Sequence, residues 1–391
     1  MDIKTILERG VVEVIEKEHL EKALGSGKKL RVKLGIDPTS PNIHIGRAVV
    51  LLKLRQFQRM GHKVVFIVGD FTGLIGDTSD KDSERPMMSE AEIKKNMKTY
   101  FEQAFKILDK KQTETHYNSK WLKKLGFKEI GEMADLFGLH EITSRENVAR
   151  RMSADKRVST REVLYPIMQG YDSVAVKADV ELGGTDQKFN LLAGRKIQKY
   201  HGQPQQDILM TELLEGTDGR KMSSSWGNTI NITEPADEMF GKVMSISDEL
   251  IIRYFTLCTE VPVDEIAGMA LELKSKSVNP RNLKAKLAFE ITKLYHEEKA
   301  ARAAHEAFET KFGGNKGEIK ADFELKKAAG VYSILDILVE GKLAPSRSEA
   351  RRKMKEGAVE VDSHKLSDEF ATVKLAKGTL IRLGKRFLRI K

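Results

Sequence analysis

"RVKLGIDPTSPNIHIGRAVVLLKLRQFQRMGHKVVFIVG", residues 31–69, decides the fold. Two short β-branched runs, residues 31–36 and 63–69, flank "GRAVVLLKLRQFQRMG", whose apolar residues recur at helical spacing. Two strands joined through a helix of that length form a parallel βαβ unit, because parallel strands require a long crossover. Pro38 and Pro41 stiffen an extended loop after the first strand, so His44 and Gly46 fall at the helix N-terminus. In open α/β sheets that is where ligands bind. Free backbone N–H groups and the helix dipole favour phosphate there, Gly46 admits a flat ligand, and Thr39 and His44 add donors. Taken alone, the same stretch reads first as a turn at residues 37–39 followed by a helix cap at His44.

The second strand ends in "VGDFTGLIGDTSDKDSER", where glycines interleave with Asp70 and Asp77, and Lys81 and Arg85 follow. This places Asp77 beside the first strand end, where a carboxylate can hold an ammonium group. "SEAEIKKNMKTYFEQAFKIL" reads as a helix with Ser89 as N-cap and Glu92 completing a capping box. "DVELGGTDQKFNLLAGRKIQKY" reads as a strand end, a glycine turn and a helix, and "DILMTELL" (207–214) as a further strand. From about Pro235 to Phe312 the strand signals give way to helices. "GGNKGEIKADFE" reads as a flexible join, and the segment from about Val331 turns strand-rich. That last segment holds fourteen Lys/Arg against eight Asp/Glu, so it carries over half of the net charge of +10.

With 391 residues, the chain exceeds one ordinary core. A hydrophobic fraction of 40% with 32% charged residues fits a soluble globular protein, and no apolar run is long enough for a membrane span. The N-terminal "MDIKTILERGVVEVIEKEHL" reads as a charged amphipathic stretch, not a signal peptide. Cys258 is the single cysteine, which excludes an intrachain disulfide and fits a reducing cytoplasm. The positive balance points to a polyanionic partner.

Two further stretches carry chemistry. Tyr165, Gln169 and Asp172 recur at spacings of four and three, so a helix brings hydroxyl, amide and carboxylate onto one face. Such a face rejects ligands that leave its polar groups unpaired. "DGRKMSSSWGN" (218–228) is a polar, glycine-bounded loop, with Gly216, Gly219 and Gly227 as hinges. Lys221 can swing from it onto a phosphate, with the serines as neutral donors, while the loop shields the site from water.

"HIGR" (44–47) and "KMSSS" (221–225), with "GDFTGLIGD", "YPIMQGYDSV", "ADVELGGTDQKFN" and "ITEPADEMFGKVMSISDEL" in order, resemble class I aminoacyl-tRNA synthetases, specifically the bacterial-type tyrosyl-tRNA synthetases. The resemblance implies an α/β protein: a Rossmann-like parallel-sheet catalytic domain (1–232), an all-α anticodon-recognition domain (233–315) and a small basic α+β RNA-binding domain (331–391). It implies activation of L-tyrosine by ATP to tyrosyl-adenylate, then transfer to tRNA(Tyr), in a cytoplasmic homodimer. Mg2+ would accompany ATP, without a dedicated protein metal site.

By the same resemblance, Asp77, Tyr165 and Gln169 hold the α-amino group, and Asp172 the phenol. Thr39 and His44 face the ATP γ-phosphate, and Lys81, Arg85 and Lys221 meet the departing pyrophosphate. Asp37, Gly46, Asp186 and Gln187 surround the adenylate and the tyrosine carboxyl region. Arg47, Gly184, Met222, Ser223 and Ser224 complete the nucleotide site. Arg347, Arg351, Arg352, Lys353 and Lys355 form a basic face for RNA.

Three positions depart from the family pattern. Arg47 replaces a histidine, Ser224 replaces a lysine, and Lys33 stands where some branches place a tyrosine against the substrate hydroxyl. Rival readings are a tryptophanyl relative, a synthetase-like RNA-binding protein without adenylation, and a nucleotidyltransferase for another acceptor.

Overall fold

The computed structural model describes residues 2–78, 87–312, 321–362, 364–366, 368–384 and 386–391. By its contacts the chain divides into two compact units, Met1–His305 and Glu306–Lys391. The first is built on a six-stranded sheet. Its strands are β1 (Val11–Ile15), β2 (Arg31–Ile36), β3 (Lys63–Val68), β4 (Thr113–Tyr117), β5 (Val180–Gly184) and β6 (Asp207–Thr211), in the order β1-β6-β5-β2-β3-β4. β2 pairs with β3 in parallel over its whole length, joined through the helix Ile45–Arg59, as the sequence predicts. β3 with β4, β2 with β5 and β5 with β6 are also parallel, and β1 closes one edge antiparallel to β6. Val64 to Val68 are all fully buried, as expected of a strand covered on both faces.

Local signals account for most elements. Ser89 and Glu92 form the expected capping box, but the helix stops at Met97, and a second one, Tyr100–Ala104, begins after Thr99. The long helix Thr160–Val176 is likewise capped by a Ser159–Glu162 box. β1 corrects the reading of the N-terminus as one amphipathic stretch. The chain breaks there into a short helix, Ile3–Glu8, and a β-branched strand, "VVEVI", that pairs with β6.

Helices Ala236–Met244, Ile251–Cys258, Val263–Ser275 and Pro280–Phe312, the last broken by a kink at Glu297 (φ 67°), follow the sheet, in the segment the sequence assigns to helices. Residues up to His305 belong to the same compact unit as the sheet, and Arg9 shows one reason. Its guanidinium donates to the carbonyls of Phe255 (3.1 Å), Thr256 (2.9 Å), Thr259 (2.7 Å) and Val261 (2.8 Å), capping the end of the Ile251–Cys258 helix. The Lys53 ammonium, from the crossover helix, donates to the Ile6 and Arg9 carbonyls at 2.8 Å each. One chain of bonds thus joins the crossover helix, the N-terminus and the helical segment.

The second unit contains a five-stranded sheet, in the order His364–Leu366, Val359–Val361, Leu380–Leu383, Arg386–Ile390, Phe323–Leu325. A strand pair, Thr372–Leu375 with Gly330–Ser333, and the helices Ile334–Glu340 and Arg347–Lys355 accompany it. Ile337, Leu338, Met354, Ile381 and Leu388 form its fully buried core. Most of the join expected at "GGNKGEIKADFE" lies outside the described residues. No helix among the described residues is long and apolar enough to cross a membrane.

Arg9→Met removes several charge-assisted bonds to buried carbonyls and should lower the unfolding free energy by about 3 kcal/mol. Urea denaturation followed by circular dichroism measures it; an unchanged midpoint would show that this cap does not hold the helical segment.

Candidate active site

The carboxyl ends of β2, β3, β5 and β6 open into one cavity of about 960 Å3. β2 runs out into Asp37, whose Oδ1 accepts from the Thr72 hydroxyl (2.7 Å) and Oδ2 from the Tyr165 hydroxyl (2.9 Å). Gly69, just beyond β3, is required by this closeness, since a Cβ there would lie 2.0 Å from Asp37 Oδ1. His44 is the N-cap of the Ile45–Arg59 helix, and its Nδ1 accepts the Arg47 backbone N–H at 3.3 Å. Burial first, then the charges of Arg47 and Lys221, push its pKa down to about 3, so the ring is neutral. Arg47 donates to Thr39 Oγ1 (2.9 Å), the Tyr100 hydroxyl (3.0 Å) and the Asp37 carbonyl (3.3 Å), tethering the turn at residues 37–39.

Polar groups converge at the inner end of the cavity. Asp172 is buried, and its two oxygens accept from Trp121 Nε1 (2.7 Å) and Asn118 Nδ2 (3.2 Å). Burial raises its pKa to about 7, against the opposing pull of Lys33 and these two donors. Gln169, one turn back on the same helix, donates through Nε2 to Glu181 of β5 at 3.1 Å. Tyr165 completes this face and is also buried. Asp77 accepts from Gln187 Nε2 at 2.7 Å.

The loop at residues 218–228 closes the outer side. Met222 is buried, and the Gly46 N–H points at its sulfur, 3.4 Å away. Lys221 pairs with Asp186 at 3.0 Å, and the Ser224 hydroxyl lies 3.3 Å from that of Ser40. Asn228 anchors the loop: its side chain donates to Asp218 (2.7 Å) and the Lys221 carbonyl (3.1 Å) and accepts from the Ser223 N–H (2.9 Å). Gly219 and Gly227 have φ of 80° and 67°, left-handed values that favour glycine. Trp226 is half exposed, with Arg220 stacked over its ring.

Every described residue selected from the sequence for the amino acid or nucleotide lines this cavity, Gly184 and Ser223 included. Lys81 and Arg85 lie outside the described residues. Residues 26–313 match the family described as tRNA synthetases class I (W and Y), and residues 321–388 match the tyrosine–tRNA ligase SYY-like C-terminal domain. The tyrosine–tRNA ligase of Dehalococcoides mccartyi is 48% identical over 98% of this chain and 97% of the relative. That of Thermotoga maritima is 45% identical over 98% and 96%.

The chain belongs to the tyrosyl-tRNA synthetases.

Among solved structures, a truncated mitochondrial tyrosyl-tRNA synthetase of Coccidioides posadasii shares 25% identity at a TM-score of 0.63, covering 78% of this chain and 90% of that one. The Archaeoglobus fulgidus tyrosyl-tRNA synthetase complexed with L-tyrosine shares the fold, at 22% identity, TM-score 0.61, and 77% and 98% coverage.

In this synthetase the basic helix Arg347–Lys355 is less bare than its sequence implies. Arg347 pairs with Asp336, Arg351 and Lys355 with Glu369, and Arg352 and Lys353 with Glu356. A second basic patch, Lys326, Lys327, Lys377 and Lys391, surrounds a hollow in the same unit and was not picked out from the sequence; two of its cations are paired too, Lys327 with Glu340 and Lys391 with Glu324. Sequence reading also missed Trp121, Asn118, Glu181 and Asn228. One signal was available for Glu181: it and Lys33 are each the charge at the centre of an otherwise apolar stretch of strand.

His44 binds its proton less readily folded than unfolded, so it favours the fold above its ordinary pKa of 6.5, and that stability is lost as pH falls towards 3. Lowering the pH to about 5 should cost about 2 kcal/mol through this residue. His44→Gln should flatten that part of the stability profile, measured by denaturant titration; an identical slope would place the loss elsewhere.

Proposed function

We propose that the cavity joins L-tyrosine to ATP and that the chain passes the tyrosyl group to tRNA(Tyr). The observation that carries this reading is the buried Asp172 at the inner end, with its two neutral donors and with Tyr165 and Gln169 on the same helix. A phenolic hydroxyl donating to that carboxylate satisfies it, whereas a phenyl ring leaves a buried acceptor without its ligand partner. Asp77, Tyr165 and Gln169 take the α-ammonium group. The tyrosine carboxylate oxygen then bonds to the α-phosphorus as the bond to the pyrophosphate oxygen breaks.

No protein nucleophile is needed, so the residues work by position and charge. Thr39 and neutral His44 meet the γ-phosphate, and the Gly46 backbone takes the nucleotide once Met222 moves off it. Asp37, Arg47, Gly184, Asp186 and Gln187 line the adenylate, with Met222, Ser223 and Ser224 over it. Lys221 leaves Asp186 for the pyrophosphate, with Lys81 and Arg85 as further cations. Mg2+ enters with ATP and is held by the phosphates. Among the described residues no group of three or more His, Cys, Asp or Glu is placed to hold a metal ion.

Labour is divided between a catalytic part (1–232), an anticodon-reading helical part (233–315) and an RNA-gripping tail (331–391). Arg347, Arg351, Arg352, Lys353 and Lys355 form the tail's RNA face, joined by the lysine patch. Neutralising phosphate releases counterions, so tRNA binding weakens with salt. The chain works in the cytoplasm, as its resemblance implies, and a homodimer fits exposed Phe127 and Leu139, on consecutive helices of the first unit.

Tyrosine-dependent exchange of labelled pyrophosphate into ATP tests the reaction. Exchange with tyrosine, and none with tryptophan or phenylalanine, is expected without tRNA; tRNA binding with no exchange would favour an RNA-binding protein without adenylation. Asp172→Asn should lower kcat/KM for tyrosine by about ten- to a hundredfold and leave KM for ATP in place. Unaltered discrimination against phenylalanine in that variant would remove Asp172 from specificity.

A further inference from the structure

Glu181 and Lys33 form a closed polar cluster under the cavity. They are directly opposite residues of β5 and β2, and both side chains are buried. The Lys33 ammonium donates to Glu181 Oε1 (2.9 Å), the Ser173 hydroxyl (2.8 Å) and the Gln169 backbone carbonyl (3.0 Å), which uses all its three protons. Glu181 Oε1 also accepts from Gln169 Nε2, and Oε2 accepts from the Ser173 hydroxyl (3.1 Å) and from Gln206 Nε2.

A side-chain amide has a donor end and an acceptor end, and a carboxylate only accepts. Glu181 therefore obliges Gln169 to turn its NH2 inward. The carbonyl oxygen of the same amide is left for the cavity that Gln169 lines. An ammonium group only donates, so that is the polarity it requires; the opposite amide orientation would set N–H against N–H. Lys33 fixes the other half of the residue by holding its backbone carbonyl.

We propose that Lys33 and Glu181 are positioning residues for amino-acid recognition: together they lock the Gln169 amide with its carbonyl oxygen toward the α-ammonium group of the substrate. This rests on the reading that Gln169 meets that ammonium. It assigns Lys33 a part in recognising the opposite end of tyrosine from the phenol.

Calorimetric binding of two ligands to the full chain tests it: L-tyrosine, and 3-(4-hydroxyphenyl)propanoate, which lacks the ammonium group. In Glu181→Gln the neighbour both donates and accepts, so the Gln169 amide is no longer held one way. Tyrosine Kd should rise about tenfold or more, while the analogue's Kd stays unchanged. Lys33→Met combined with Glu181→Gln removes both charges of the pair, and if the single variant fails to fold it should raise the Kd of tyrosine relative to that of the analogue about tenfold; because Lys33 also acts on Asp172, the ratio of the two constants is the readout there. In a Gln169→Ala background, Glu181→Gln should add no further selective loss. Parallel weakening of both ligands would make the pair structural only and overturn the proposal, as would unchanged binding of both. A wild-type chain that fails to bind tyrosine would overturn the functional reading as well.

Discussion

Lys33 and Glu181 face each other across β2 and β5, where the sheet turns from one direction of winding to the other. From β2 the chain crosses to β3 on one side; β5 and β6 lie on the other. Such a reversal leaves a crevice at the carboxyl ends, because the loops leaving β2 and β5 diverge. A bare ion pair is an expensive way to join two buried strands, since desolvation offsets most of the attraction. Here hydrogen bonds from Ser173, Gln169 and Gln206 complete the pair, and these reach into the helix and loops around the crevice. Removing one partner alone strands a buried charge, which typically costs about 3–5 kcal/mol.

From that seam outward, each layer of the site hangs on the previous one. Gly69 lets the β3 end close on Asp37, and Asp37 then receives Thr72 and Tyr165. Thr72 Oγ also accepts from Asn118, which donates in turn to Asp172. Asp37, Thr72, Tyr165, Asn118 and Asp172 therefore belong to one hydrogen-bonded framework along the cavity. Arg47 joins it through Thr39 and Tyr100. The departure from the family histidine thus supplies a tether for the turn at residues 37–39. The outer loop is anchored by backbone bonds from Met222 to Leu214 and from Gly216 to Arg220, by Asn228, by the Met222 contact with Gly46 and by the Lys221–Asp186 pair.

Motif positions were legible because glycines, prolines and an i, i+4, i+7 polar face are local signals that survive without the fold. Tyr165, Gln169 and Asp172 share a face simply because Thr160–Val176 is helical. Their partners were not legible. Trp121 and Asn118 lie about fifty residues from Asp172, and nothing near them in sequence marks a carboxylate neighbour. Arg9 is separated from the helix it caps by nearly the whole first unit. β1 was missed because "VVEVI" sits between two charged helical stretches, although its four β-branched residues were a local strand signal. The tail's basic helix was legible as charge, but not the carboxylates that sit beside each cation.

The most direct measurement is a crystal structure of the chain with a non-hydrolysable tyrosyl-adenylate analogue. The account predicts the phenol oxygen within hydrogen-bonding distance of Asp172 and the ammonium group among Asp77, Tyr165 and the Gln169 carbonyl oxygen. It also predicts the adenosine along the Gly46 helix end, beneath the loop carrying Lys221. An analogue bound elsewhere, or with its ring turned away from Asp172, would contradict it.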